Sequence, residues 1–228
     1  MPGVPASSSM CFYFNFAVQG FLTETGLEAA SMGIQVYGGH GYIKSNKQEQ
    51  ILRDVRIASV WEGTTQIQAL DLLGRKIMAQ KFKPINAAAD EVRKQVKPFL
   101  FFSAPTPQLR SHAWKLFLAS YKWQYLALKI GKLAQGDRDV ITHASVPFLM
   151  YSGYVVLGEH WFKMAMASSK KLAAGNLSGS DAAFYDAKMK TADFYFENVF
   201  PRTDSLVAVM NSPLKSVMAL KPEHFSFN

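Results

Sequence analysis

The chain has 228 residues, of which 49% are hydrophobic and 18% are charged. This balance excludes an intrinsically disordered protein and allows one or two ordinary domains with a sizeable buried core. Aromatic residues make up 13% of the chain, so large rings must fill much of that core.

The formal net charge of +8 leaves three interpretations open. A nucleic-acid binder would need basic residues clustered on one face beside stacking aromatic side chains. Here the basic residues spread from Lys44 to Lys221 at helix-like intervals, so we expect no nucleic-acid partner. A phosphate-rich ligand, such as a dinucleotide or a CoA ester, would need only a few of them. A basic soluble surface explains the same charge without any ligand.

Cysteine and histidine give no signal for a disulfide or a metal site. Cys11 is the only cysteine in the sequence, so no internal disulfide can form. A reducing compartment is therefore expected, either a bacterial cytoplasm or, in a eukaryote, the mitochondrial matrix. The five histidines lack metal-ligand spacing, and we predict no metal site.

Taken in chain order, the first predicted element is an irregular N-terminal segment over residues 1–21. No charged residue occurs before Glu24, so the segment lacks the basic leader of a secretory signal. We expect that the chain once began further upstream.

Helix signals follow, and strand signals are nearly absent. Gly38-Gly39 is predicted to end the first helix, and the third carries one apolar stripe. The predicted helix starts have capping-box spacing: Thr25 with Glu28, Asn46 with Glu49, and Thr65 with Gln68. The stripe consists of Ile67, Leu70, Leu73 and Ile77.

Lys83-Pro84 predicts a boundary, because proline disfavours helix in the residue before it. Pro147 and Pro201 should start or kink helices. The apolar stretch 145–167 predicts a buried helix and no membrane span, because its uncharged run is shorter than the ~20 residues that a span needs. Long helical patterns lie at about 86–101, 108–135, 139–174 and 181–211. The sequence predicts an all-α fold with units at 22–82 and 83–212 and a tail at 213–228.

The segment SVWEGTTQIQAL, residues 59–70, places one carboxylate, Glu62, ahead of a predicted helix. The first N–H groups of that helix lack partners within it and suit an anion such as a pyrophosphate. Trp61 could exclude water from Glu62, and burial makes a carboxylate a stronger base towards carbon acids. The alternative is that Glu62 only interacts with the helix dipole, which contributes about 0.3–1 kcal/mol.

The segment QVYGGHGY, residues 35–42, contains three glycines that allow a tight turn and close approach of a ligand. Gln35 offers a hydrogen-bond donor and an acceptor at that edge. On its own the segment is equally a helix end followed by a flexible loop. It is not a dinucleotide-binding fingerprint, because no strand precedes it.

Together these segments resemble the C-terminal helical domain of the flavin-dependent acyl-CoA dehydrogenases. That family has a glutamine–GGxG loop, a Leu-Arg-Asp helix and a Tyr/Trp-Glu-Gly-Thr-x-Gln-Ile-Gln segment in this order. The region 83–212 looks like the extra C-terminal helical domain of the larger members. The matching residues are Gln35, Gly38, Gly39, Gly41, Leu52-Arg53-Asp54 and Trp61 through Gln68.

The resemblance implies a chemical role for Glu62. It would remove the α-proton of an acyl-CoA thioester while the β-hydrogen leaves as hydride to FAD, which carries the electron transfer. Arg53 and Asp54 would tie helices together. The residues implied to hold FAD are Gln35, Gly38 and Gly39 from a neighbouring subunit, and Thr64 and Gln66 from the subunit of Glu62.

The family fold also has an N-terminal helical domain and a middle β domain, and we expect this chain to lack both. By itself it would bind FAD poorly and be inactive, and it would act as a homo-oligomer or with the missing domains. The apolar faces of 25–37 and 64–78 would then be partly bare. An electron-transferring flavoprotein would accept the electrons. The alternative is a catalytically inactive helical interaction module derived from the family.

Overall fold

The computed structural model describes residues 17–101 and 103–225. This part of the chain consists of helices and connecting turns, with no strand among the described residues. The predicted all-α fold is confirmed.

The first unit is a short series of helices. A π-helical turn, Ala17–Leu22, leads directly into helix α1, Thr23–Tyr37. Helix α2 is Gln48–Arg56. Helix α3, Thr65–Leu70, continues without a break as the π-helical stretch Asp71–Met78.

Helices α1 and α2 pack against each other in antiparallel directions. At the start of α2, Nε2 of Gln48 donates to the carbonyl oxygen of Ala30 in the middle of α1 (3.2 Å). Near the end of α2, Val55 faces Gly26, where an added Cβ would lie 3.8 Å from Cγ1 of Val55. The chain that follows α2 therefore returns towards the start of α1.

The second unit is a helical bundle built around two long helices. The helices of this unit are α4 (Lys83–Val96), α5 (Pro107–Leu133), α6 (Asp139–Ala174), α7 (Gly179–Phe194) and α8 (Arg202–Met210), of which α5 and α6 are the two long ones. The π-helical stretch Tyr195–Val199 extends α7. Local signals fix two of these starts, because Oγ of Thr106 and of Ser178 accept N–H bonds from the first turns of α5 and α7.

Helix α6 is the central helix, since it packs on α3, α5, α7, α8 and the π-helical turn before α1. One of its buried hydroxyls is paired with α5: Oγ of Ser152 accepts from Nε1 of Trp123 (2.7 Å). Hydroxyls from two sides also reach backbone carbonyls, from Tyr151 to Ala119 (3.0 Å) and from Tyr195 to Tyr154 (2.7 Å).

The predicted buried helix over 145–167 is confirmed as part of α6. Phe148, Val155 and Phe162 are buried, and the buried carboxylate of Glu159 pairs with Lys163 at 2.7 Å. By length and composition alone α6 could cross a membrane, but half of its most apolar window is covered by neighbouring helices, as in the core of a bundle.

The expected irregular segment over 1–21 is wrong at its end, because Ala17–Leu22 is helical; residues 1–16 lie outside the described residues. Thr25 therefore lies inside a continuous helix and does not cap one. Its hydroxyl donates to the carbonyl oxygen of Phe21 (2.8 Å), the back-bond that threonine makes within helices.

The other two predicted capping boxes also differ. Nδ2 of Asn46 donates to the carbonyl oxygen of His40 (2.7 Å), and α2 begins after Lys47, which has a left-handed backbone with φ of 62°. Helix α3 does begin at Thr65, but the capping oxygen belongs to Thr64 and accepts from the N–H of Ile67 (3.5 Å).

The prolines behave differently from each other. Pro147 lies inside α6 and starts no helix, whereas Pro201 directly precedes α8. The expected bare apolar faces are clear on α1, where Val36 is 84% exposed. On α3 the exposure is confined to Ile67, because Leu73 and Ile77 are buried.

Candidate functional site

Glu62 lies in the tight connection between α2 and α3, and its backbone has an unusual conformation. Its φ is +57°, and that of the following Gly63 is +112°. A non-glycine residue in the left-handed region costs about 1–3 kcal/mol and persists only where surrounding structure holds it. Here Nε2 of Gln68, a buried side chain, donates to the carbonyl oxygen of Glu62 (2.9 Å).

The carboxylate of Glu62 is exposed and accepts a hydrogen bond from another part of the chain. Nε2 of Gln19, in the π-helical turn before α1, donates to Oε2 of Glu62 at 3.0 Å. Trp61 is 68% exposed, so within the described residues it does not exclude water from Glu62, contrary to the sequence interpretation. Any desolvation of this carboxylate must come from a ligand or from other protein.

The polar side chains at the start of α3 are bound to protein groups. Gln66 reaches α6, where its Nε2 donates to the carbonyl oxygen of Thr142 (3.2 Å) and to Oγ of Ser145 (2.9 Å). The hydroxyl of Thr65 donates to the carboxylate of Glu24. These bonds fix the start of α3 against both α1 and α6.

Gly38 forms the turn that ends α1, as predicted, and Gly39–Tyr42 is a short helical turn directly after it. Gly38 has φ of +59°, and its N–H donates to the carbonyl oxygen of Gln35 (3.0 Å). A Cβ added at Gly38 or Gly39 would meet nothing within 4 Å, so this backbone is open to a ligand. Gly41 is different, because a Cβ there would lie 2.5 Å from the carbonyl oxygen of Ile34.

A single chain does not bring the two predicted parts of the site together. Glu62 lies at the N-terminal end of α1, beside Gln19, and Gly38 lies just past the C-terminal end. At 1.5 Å per residue, a helix of this length separates its ends by roughly 20 Å. The glycine turn and Glu62 of one chain therefore cannot share one small cleft.

The Leu-Arg-Asp segment has a local role. Arg53 pairs with Glu49 one turn earlier on α2 at 2.9 Å, and both Arg53 and Asp54 are exposed. The expectation that this pair ties helices together is wrong for Arg53, whose ion pair stays within its own helix.

Sequence reasoning missed two side chains of the site. Gln19 lay in a segment interpreted as irregular, and nothing in its local pattern points to Glu62. Gln68 was assigned to a capping box, although its side chain holds the Glu62 carbonyl. Among the described residues, no three side chains of the metal-ligating types form a candidate metal site.

Two family models match this chain. The one described as "Acyl-CoA dehydrogenase, C-terminal domain" matches residues 18–78, and the one described as "Acetyl-CoA dehydrogenase C-terminal like" matches residues 83–221. The second match covers more than half of the chain. The chain belongs to the acyl-CoA dehydrogenase family, a family of enzymes, and contains its C-terminal helical portion.

Curated relatives include 3-methylmercaptopropionyl-CoA dehydrogenase of Ruegeria pomeroyi, which is 34% identical over 200 residues, covering 85% of this chain and 32% of the relative. The broad-specificity linear acyl-CoA dehydrogenase FadE5 of Mycobacterium tuberculosis is 29% identical over 214 residues, covering 91% and 34%. A butyryl-CoA dehydrogenase of Syntrophomonas wolfei is 28% identical over 197 residues, covering 86% and 32%. The chain thus spans about a third of the length of these relatives.

Proposed function

We propose that this chain is the C-terminal part of an FAD-dependent acyl-CoA dehydrogenase in which Glu62 is the base. The whole enzyme would convert an acyl-CoA thioester to its 2-enoyl form. Family membership supports the reaction class, and the conformation of Glu62 supports the assignment of the base.

The observation that carries this proposal is the left-handed backbone of Glu62, held by Gln68. Residues in strained conformations cluster at active sites, where the surrounding structure fixes them for a task. Lys47, Lys81 and Phe82 share a left-handed backbone with Glu62, but none of them carries a carboxylate that could act as a base. In this conformation the carboxylate of Glu62 is exposed and accepts a hydrogen bond from Gln19.

The residues present can accommodate FAD, though from two chains. The open backbone at Gly38 and Gly39, with exposed Gln35 beside it, leaves room for a phosphate-containing group. At the other end, Gln66 uses its Nε2 towards α6, and its Oε1 can still accept a hydrogen bond. Thr64 uses its oxygen as an acceptor and retains its hydroxyl proton to donate.

Because one chain separates these two sets by roughly 20 Å, the glycine turn would serve the site of a second copy. The proposed assembly is therefore a homo-oligomer in which each cofactor lies between Glu62 of one subunit and Gly38 of its neighbour. The N-terminal and middle domains of the family would supply the acyl pocket. An electron-transferring flavoprotein would accept the electrons.

The chemistry assigns one step to this chain. The Glu62 carboxylate takes the α-proton, the Cα–H bond breaks, and its electron pair forms the Cα–Cβ double bond. FAD, when bound, supplies the acceptor for the β-hydrogen, which leaves with its own electron pair. An exposed carboxylate is a weak base, so the substrate and covering domains must exclude water from Glu62.

The test joins this chain to N-terminal and middle domains of the family and measures two quantities. We expect the purified assembly to retain flavin and to convert a saturated acyl-CoA to the 2-enoyl-CoA. A folded, oligomeric assembly that takes up no flavin would contradict the proposal and favour the inactive interaction module.

A further inference from the structure

A polar side chain outside the matched motif holds the carboxylate of Glu62. Gln19 lies 43 residues before Glu62 in the sequence, and its Nε2 donates to Oε2 at 3.0 Å. An amide donor on a carboxylate restricts its rotamers and selects one oxygen, which leaves Oε1 for another partner. A base must present an oxygen in one direction, so this contact is relevant to the proposed reaction.

The backbone that carries Gln19 is anchored to the bundle core. The hydroxyl of Thr23 donates to the carbonyl oxygen of Gln19 at 2.7 Å. Gly20 is pressed against α6, because a Cβ there would lie 2.7 Å from Cδ1 of Leu149. Phe21 is buried, with its ring edge-on to Tyr154 at a centroid distance of 4.9 Å.

The backbone that carries Glu62 is anchored separately. Gln68 is 7% exposed, and its amide holds the Glu62 carbonyl at 2.9 Å. Glu62 is therefore held by two glutamines. Gln19, which precedes it in the sequence, binds the carboxylate, and Gln68, which follows it, binds the backbone carbonyl. A chance surface contact would not require both partners to be fixed by buried structure.

We propose that Gln19 is a positioning residue that orients the carboxylate of Glu62. The inference rests on the proposed function, because it gives the orientation a chemical purpose. In this role Gln19 acts through Glu62 and has no direct part in the chemistry.

A first experiment needs neither flavin nor activity. In the full 228-residue chain, the side-chain amide signals of Gln19 are followed by NMR as the pH is lowered. We expect them to titrate in the native chain and to lose this titration in the Glu62→Gln variant. Gln80, an exposed glutamine, serves as the reference signal. Gln19 signals that do not titrate, or that titrate equally in Glu62→Gln, would overturn the proposal.

A second experiment uses the enzyme completed by the N-terminal and middle domains. Gln19→Met keeps the length of the side chain and removes the donor, and we expect kcat to fall about tenfold with KM little changed. Gln19→Lys restores a donor and should recover most of that loss. Gln80→Met is the matched control, with no expected effect.

The outcomes separate this inference from the proposed function. If Glu62→Gln slows turnover but Gln19→Met leaves kcat unchanged, only the positioning role of Gln19 fails. If Glu62→Gln itself leaves turnover unchanged, the proposed function fails. A fall in kcat that Gln19→Lys does not recover would indicate a structural effect and would also count against the positioning role.

Discussion

Arg202, the first residue of α8, donates from Nη1 to Oε2 of Glu28 on α1 at 2.8 Å. The bond links two residues 174 positions apart, and these lie in the two segments that the family models match separately. The same guanidinium lies 3.4 Å from the hydroxyl of Tyr154 on α6. The hydrogen bond to Glu28, followed by that to Tyr154, raises the pKa of Arg202.

We predict that this ion pair contributes a small, salt-dependent coupling free energy between the two units. Both side chains are about 40% exposed, at 41% and 39%. A double-mutant cycle with Arg202→Ala and Glu28→Ala should give about 0.2–1 kcal/mol at low salt and less at high salt. Urea unfolding measures it. A coupling that is absent at low salt would show that the contact contributes nothing in solution.

We predict that substitution of Gln66 lowers the stability of the fold even when no cofactor is bound. Gln66→Leu removes two hydrogen bonds to α6, so the free energy of unfolding should fall by about 1 kcal/mol. Gln80→Leu, at an exposed position, is the control. Equal unfolding free energies for the two variants would mean that the bonds to Thr142 and Ser145 do not form. In the completed enzyme, Gln66→Leu should also lower the retained flavin.

We predict that alanine substitutions at two glycines change the stability of the protein in opposite directions. A Cβ at Gly153 of α6 would overlap the ring of buried Phe21, so Gly153→Ala should destabilise the protein by about 1–3 kcal/mol. A Cβ at Gly74 meets nothing within 4 Å, and Gly74→Ala should stabilise the helix by up to about 1 kcal/mol. Thermal unfolding distinguishes them. A neutral Gly153→Ala would show that the turn carrying Gln19 is not tightly seated on α6.

Acid sensitivity is predicted from a buried histidine of α5. His112 is 2% exposed and stacks on Phe196 at a centroid distance of 4.3 Å. Burial, and to a lesser extent the charge of Lys115, lowers its pKa to about 4. An unfolded histidine has a pKa of about 6.5, so the unfolded chain takes up the proton first. The contribution of His112 to stability is therefore complete above about pH 6.5 and falls by up to about 3 kcal/mol as the pH drops to about 4.

The neighbouring carboxylate acts in the opposite direction. Oδ1 of Asp193 lies 3.3 Å from Nε2 of His112, and burial, followed by the charge of Glu197, raises the pKa of Asp193. Protonation of Asp193 at acid pH therefore favours the folded state. His112→Leu should flatten the loss of unfolding free energy between about pH 6.5 and 4, whereas His224→Leu, on the exposed tail, should not. Identical pH profiles would contradict the assignment.

Local patterns in the sequence were sufficient to predict the helices but not their exact starts. The 3.6-residue periodicity predicted α6 at its observed bounds, because an apolar stripe follows from burial on one face. Thr25 has capping-box spacing but lies within a helix, because a threonine hydroxyl can equally bond the carbonyl four residues back. Capping depends on where the preceding chain stops being helical, which the spacing alone does not encode.

The candidate site was predictable where it is local. Glu62, the following glycine and the start of α3 are adjacent in sequence, and the glycine turn after α1 follows from its own residues. The contact of Gln19 with Glu62 and that of Gln66 with α6 join residues 43 and 79 positions apart. Such contacts leave no periodic or spacing signal in one sequence, so they required the structure.

The most direct measurement is the rate at which an acyl-CoA reduces the flavin of the completed enzyme, followed by stopped flow in Glu62→Gln and in Glu197→Gln. Both variants remove one exposed carboxylate, but only the first removes the proposed base. We predict that Glu62→Gln slows flavin reduction by about 10²–10⁴-fold with flavin content unchanged. In Glu197→Gln the flavin should be reduced at the native rate. Native-rate reduction in Glu62→Gln would contradict the assignment of Glu62 as the base.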